Sequence, residues 1–275
     1  MTKRFLVVDQ NILRKPFLET LLFDDADLRV VLPDMAFLEM TKTAEWESTL
    51  RNSLSILAKY PRRVHVCLSV NEALSNELHT LRPVNGSMMF PNATVFVRNL
   101  LHGIQTGQSS NAMERIRPNP GGHLNELIQQ HLNHAENKEG LSALIESTAT
   151  MLPDEAKKRL RSRRMQDDER LDILHQIGTS LLPGVLADRG IDRGRSIGFM
   201  QQRPMVLRYL FLKAWRCLRW LGDGGFANRT PEAVTNDELD DQYILAASFF
   251  DGLISEERTV NEAYRDLRLL LAKEV

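Results

Sequence analysis

The sequence predicts an α/β protein with a central, mostly parallel sheet and a large helical insertion. Three observations predict it. Short β-branched runs alternate with helical spacing over roughly the first 80 residues, which is the pattern of strand–helix–strand units. The same alternation returns near the C-terminus. Between the two, from about Arg82 to Arg203, strand signals almost vanish. The 275 residues are 43% hydrophobic and 26% charged, enough apolar mass for a core and too much for general disorder.

The elements follow in order. Lys3 to Asp9 (KRFLVVD) reads as a buried strand. Asn11 to Leu22 has helical spacing through Ile12, Phe17, Leu18, Leu21 and Leu22. Arg29 to Leu32 (RVVL) is a second strand, and Pro33 suits the first turn of the helix after it. A helix covers about Ala44 to Lys59, and Val64 to Leu68 is a third strand. Ser69 and Glu72 form a capping box for a helix reaching about Thr80. In the middle, Gln105 to Asn119 and the Pro118–Gly122 run carry loop chemistry. Helices are expected near Leu124–His134, Leu141–Leu152, Asp154–Met165 and Glu169–Leu182, and Met205–Leu221 should pack in a core with its arginines outward. Thr235 and Glu238 cap a helix over Asp237–Phe250. Leu253-Ile254-Ser255 is a very short strand, and Thr259 with Glu262 caps the last helix, whose apolar residues leave room for a homodimer.

Composition bounds the function. Cys67 and Cys217 stand alone in apolar runs, so buried free thiols are expected rather than a disulfide framework or a zinc site. No leader-like segment appears at the N-terminus, and charges interrupt the most apolar stretch, so a soluble cytoplasmic chain without membrane association is expected. The overall charge of −1 excludes a uniformly basic nucleic-acid binder. Its distribution is uneven: residues 1–155 sum to −3, residues 156–221 to +9 and residues 222–275 to −7. A basic middle beside an acidic end suits a phosphate-binding wall next to a carboxylate site, and charge alone suits two solvated faces better. His131 and His134 at i, i+3, with His123 nearby, read as surface residues because no further ligand accompanies them.

Acids fall where strands end and helices begin. Asp9 closes the first strand, Glu39 lies in the helix after the second, Asp240 and Asp241 sit in the late helix, and Glu257 follows the last strand. Ligands bind at the carboxyl edge of a parallel sheet. Carboxylates converging there give hard oxygen donors suited to Mg²⁺ or Mn²⁺. First-turn acids also simply complement the helix dipole. Asp9 is the hardest to dismiss, because a carboxylate closing a buried strand is costly without partners.

VVDQN, PDMAFLEM and DDQYILAASFFDGLISEE, in that order, resemble the PIN domain, a metal-dependent nuclease family. Asp9 with Asn11, Glu39 after Pro33, Asp241 before Ile244-Leu245-Ala246-Ala247 (with Asp240 as the adjacent alternative), and Ser255 with Glu257 match its motif positions. Glu257 stands where the family has Asp, and the loop before the last strand is shorter than usual. The resemblance implies a three-layer PIN-like domain over residues 1–81 and 203–275, interrupted by a helical lobe at 82–202. It implies an endoribonuclease using Mg²⁺ or Mn²⁺, with an RNA substrate and room for a protein regulator. Asp9, Glu39, Asp241 and Glu257 would be catalytic and metal-binding, with Asp240 beside them. Asn11 and Ser255 would orient them. Lys157, Lys158, Arg161, Arg164, Arg193 and Arg195, the last two in a Gly-bearing loop, would meet RNA phosphates.

Competing classes are a catalytically weak or inactive PIN-like module binding RNA or protein, and a structure-specific DNA nuclease. FLVVD also suits a phosphotransferase, but Gln10 and Asn11 stand where a second Asp is usual.

Overall fold

The computed structural model describes residues 2–84, 86, 88–108, 111–116 and 134–274. Four strands, β1 (Arg4–Val8), β2 (Leu28–Leu32), β3 (Val64–Val66) and β4 (Gly252–Ile254), form one sheet in the order β3-β2-β1-β4. Every pairing is parallel, with Leu6 opposite Val30 on one side and opposite Gly252 on the other. Val7, Val8, Val30, Val31 and Leu32 are buried. That is why these strands read as continuous apolar runs rather than alternating ones. Asp251 fixes the entry to β4: its backbone N–H donates to the Phe5 carbonyl, and its carboxylate accepts from the Phe5 N–H at 2.7 Å.

The chain divides into two compact units. The first takes in the described residues of Met1–Val70, Gly86–Leu132 and Gln242–Asn261. It holds the sheet with α1 (Pro16–Asp24), α2 (Asp34–Thr41), α3 (Trp46–Leu54), α5 (Pro91–Thr106) and α6 (Asn111–Ile116). α5 packs against β3. The second takes in the described residues of Asn71–Asn85, Asn133–Asp241 and Glu262–Val275. It is helical: α7 (His134–Met151), α8 (Asp154–Arg161), α9 (Asp167–Ala187), α10 (Arg193–Met200) and α11 (Met205–Gly222), with most of α4 (Val70–Thr80), α12 (Pro231–Ala247) and α13 (Arg258–Ala272).

This division differs from the one expected at residues 81 and 203. α5 and α6 join the sheet, and α11 with the first half of α12 joins the helical unit. The reason is packing. α11 lies along α9, close enough that a Cβ on Gly178 would sit 2.2 Å from Phe211 Cδ1. The α11 N-terminus is capped by buried Glu77, whose carboxylate accepts from the Val206 and Val84 N–H groups at 3.0 and 2.8 Å.

Other boundaries differ for local reasons. The first helix starts at Pro16, because a proline with φ already set suits a first turn, and a 3-10 turn over Gln10–Ile12 precedes it. α6 lies inside the stretch expected to be loop. α12 starts at Pro231, where the Thr230 hydroxyl accepts from the Ala233 N–H, so Thr235 lies within the helix and is not its cap. α13 likewise starts at Arg258, ahead of Thr259. On α13, Leu267 and Leu270 are buried and Leu269 is exposed. The expected helix near Leu124–His134, His123 and His131 lie outside the described residues, apart from His134, which opens α7. Cys67 and Cys217 are both free and buried. Among the described residues no helix is long and apolar enough to cross a membrane.

Replacing Gly178 with Val should drive two methyl groups into the Phe211 ring. The expected cost is about 1–3 kcal/mol, read as a lower urea midpoint with an unchanged slope.

Candidate functional site

β1 is the point at which the strand order reverses: the chain moves from β1 outward to β2 and β3, while β4 pairs on the other side of β1. The crevice outside the carboxyl ends of β1 and β4 is therefore a topological switch point, where open parallel sheets bind ligands. Asp9 follows β1 there and is only 6% exposed. Its Oδ2 accepts from Ser255 Oγ, just past β4, at 2.7 Å, and its Oδ1 accepts from the Asn11 backbone N–H at 3.3 Å. One hydrogen bond thus straddles the crevice. Ser255 is itself held: its Oγ accepts from the Glu257 N–H at 3.1 Å, and its carbonyl from Asn261 Nδ2 at 2.9 Å.

Glu39 comes from α2, the helix that follows β2. Its Oε2 accepts from the Tyr243 hydroxyl at 2.5 Å. Burial pushes the Glu39 carboxyl above its usual range. Tyr243 and Lys42 oppose the shift, whereas the negative charges of Asp9 and Glu257 add to it. The charges of Asp9 and Glu257 thus both reach Glu39. The Tyr243 phenol is pushed well up, by burial and by Glu39 and Asp9, and so stays a donor. Asn11, Arg14, Lys15, Glu256 and Glu257 line a cleft of about 350 Å³ at this edge. Lys15 pairs with Glu256 at 2.9 Å.

Asp241 belongs to the helical unit. It is fully buried in the helical unit, its Oδ1 2.7 Å from Arg216 Nε and its Oδ2 3.0 Å from Lys213 Nζ. Arg216, also fully buried, bonds Asp237 Oδ1 at 2.8 Å and stands 3.7 Å from Asp240. Lys213 pairs with Glu238, and Trp220 Nε1 donates to Asp237 Oδ2 at 2.8 Å. Lys213 and Arg216 thus point inward, and for Arg216 this is the reverse of the outward orientation expected for the arginines of α11. Burial alone would lower the Lys213 ammonium, but Glu238 and Asp241 more than offset it and hold it above its ordinary value. Both Asp241 oxygens are committed to cations. Asp240 and Asp241 are therefore parts of a buried ion network within the helical unit.

Among the described residues no three His, Cys, Asp or Glu side chains stand together as a metal-ligand group. What remains at the sheet edge fits a more modest role. Asp9 and Glu39, two carboxylates steadied by hydroxyl donors, suit a hard cation that keeps most of its own waters.

The expected phosphate contacts also separate. Lys157 and Lys158 pair with Asp154 and Glu155 one turn back on α8. Arg193 and Arg195 lie exposed in the first turn of α10, capped by Asp192, and not in a loop. Arg161 and Arg164 are exposed. Three residues at the sheet edge were missed. Arg14 and Lys15 follow the strand-end acid by five and six positions, a cationic pair that carries a signal. Tyr243 reads as an apolar helix position, and nothing in the sequence points its hydroxyl at Glu39.

No family model matches the chain, and no curated protein or solved structure matches it.

Two stability predictions follow from these charges. Because the folded-state pKa of Glu39 lies above its unfolded value, the fold favours the neutral acid. That contribution is complete below the ordinary glutamate range and is lost as pH rises through the raised value. Glu39→Gln should therefore melt higher than wild type at about pH 7 and converge with it near about pH 4; identical melting at both would contradict the assignment. Arg216→Met leaves Asp241 and Asp237 without their cation and should cost about 3–5 kcal/mol in urea denaturation. A loss under about 1 kcal/mol, the range of exposed pairs, would contradict a buried network.

Proposed function

We propose that the carboxyl edge of the sheet is a phosphodiester-hydrolysing site acting on RNA, with Asp9 and Glu39 as the residues that hold Mg²⁺ or Mn²⁺. The observation that carries the reading is the Asp9–Ser255 bond across the switch point, with Glu39 raised partly by Asp9 and Glu257. A buried carboxylate held by donors at a ligand-binding edge, with a second, raised carboxyl on the helix after the neighbouring strand, marks a candidate functional site. The resemblance of VVDQN and PDMAFLEM to the PIN family supports RNA hydrolysis as that use.

When bound, a divalent cation supplies charge neutralisation for the phosphate and a more acidic water. The chain's own residues do the rest. Ser255 holds the Asp9 carboxylate in one orientation, and Tyr243 holds Glu39 Oε2. Glu39 Oε1, the oxygen that Tyr243 does not hold, accepts the proton of the attacking water. Water oxygen bonds to phosphorus as the phosphorus–O3′ bond breaks, leaving a 5′-phosphate and a 3′-hydroxyl that takes its proton from solvent. Arg14 in the cleft meets the phosphate oxygens, beside Lys15 and its partner Glu256. Glu257 stands at the exposed rim.

A second reading has its own observation. With Asp241 neutralised and no three-ligand group among the described residues, a module that binds RNA or protein without cutting it is the alternative.

Labelled single-stranded RNA incubated with the full chain and Mn²⁺ separates the two. The expected result is cleavage to 5′-phosphate ends, abolished by EDTA and reduced about 10²-fold or more by Asp9→Asn. Unbroken RNA under all conditions, or cleavage that survives Asp9→Asn, would favour the non-catalytic module or place the chemistry elsewhere.

A further inference from the structure

The basic stretch before α9 has one cleft of its own. Arg161, Arg163, Gly222, Asp223, Gly225, Asn228 and Arg229, all of the helical unit, surround about 550 Å³. Three arginines face one carboxylate, and Asp223 is already paired with Arg229. Of the other cations of the same run, Lys157, Lys158 and Arg159 pair with Asp154, Glu155 and Glu169, and Arg164 does not line the cleft. Arg161 and Arg163 make no side-chain hydrogen bond or ion pair with the described residues and line the cleft.

The backbone of Arg163 gives a second, independent observation. Past the end of α8, the Arg163 N–H bonds the Leu160 carbonyl at 3.1 Å and the Arg164 N–H bonds the Arg159 carbonyl at 2.9 Å. This is a Schellman termination, and it puts residue 163 at the left-handed position that usually belongs to glycine. Arg163 occupies it with φ 56°. An arginine there bears backbone strain that glycine would not. A strained residue whose side chain opens onto a cleft is the kind of outlier that points to a use for that side chain.

We propose that this cleft binds a backbone phosphate of a polynucleotide, with Arg163 and Arg161 as the ligating groups. Guanidinium forks match phosphate oxygens bidentately. No lining residue is aromatic, so the chemistry selects phosphate rather than a stacked base. The choice of polynucleotide rests on the RNA reading proposed above, but the binding itself does not depend on cleavage.

The test uses the full chain carrying Asp9→Asn, in EDTA, with a labelled oligouridylate followed by anisotropy across a salt series. Adding Arg163→Gly should weaken binding several-fold and reduce the slope of log affinity against log salt by about 1. It should also leave the melting temperature equal or higher, since glycine relieves the backbone. Unchanged affinity and slope would overturn the proposal. Weaker binding with a lower melting temperature would overturn it too, because the arginine would then be serving the fold. Inorganic phosphate raising the melting temperature only when Arg163 is present, with no oligonucleotide binding, would assign the cleft to free phosphate and overturn the polynucleotide choice. Absence of RNA cleavage in the intact site leaves all of these readouts unaffected.

Discussion

Parallel pairing of β1 with both of its neighbours is the constraint on which the candidate site depends. A strand paired on both edges is buried, and its hydrogen-bond ladder ends at one carboxyl terminus shared with β2 and β4. The residue that follows β1 must therefore be delivered to the crevice between β1 and β4. That residue is Asp9. A carboxylate so placed needs donors, and the donors come from the two segments the topology brings alongside it: Ser255 past β4 and the Asn11 backbone after β1. Glu39 arrives by the same logic, on the helix that follows β2.

A second constraint decides which acids take part. α11 carries Lys213 and Arg216 on its buried face, and an unpaired buried cation is far more costly than a paired one. The four acids at 237, 238, 240 and 241 lie on one stretch of helix and satisfy these cations, with Trp220 taking part through its indole. Pairing with these cations thus claims acids that, by position, suit the sheet edge. The acids of the helical unit hold that unit together through Lys213 and Arg216. At the sheet edge, burial raises the Glu39 carboxyl, and the charges of Asp9 and Glu257 add to the shift.

Much of the sheet was legible because buried parallel strands leave compact apolar runs. KRFLVVD, RVVL and VHVCL all mark strands, and even the three-residue β4 showed through LIS. The strand-end place of Asp9 and the helix place of Glu39 are legible because each follows such a run. The ion partners of Asp241 are not, because they lie 28 and 25 residues earlier, on a helix read as having outward arginines. Helical spacing alone cannot tell which charged face turns inward; the opposing acids decide it. The helix starts at Pro231 and Arg258 escaped for a smaller reason. Thr235 and Thr259 each offer the right spacing to Glu, but Thr230 with Pro231, and Glu257 with its carbonyl bonded to the Asn261 N–H, begin the turns earlier.

Calorimetric titration of Mn²⁺ into the full chain and into Asp9→Asn tests the central claim most directly, that the switch-point crevice is a cation site built on Asp9. The account predicts one bound ion per chain in the wild type and none at that affinity in the variant. No binding to the wild type, or binding that Asp9→Asn leaves intact, would contradict it.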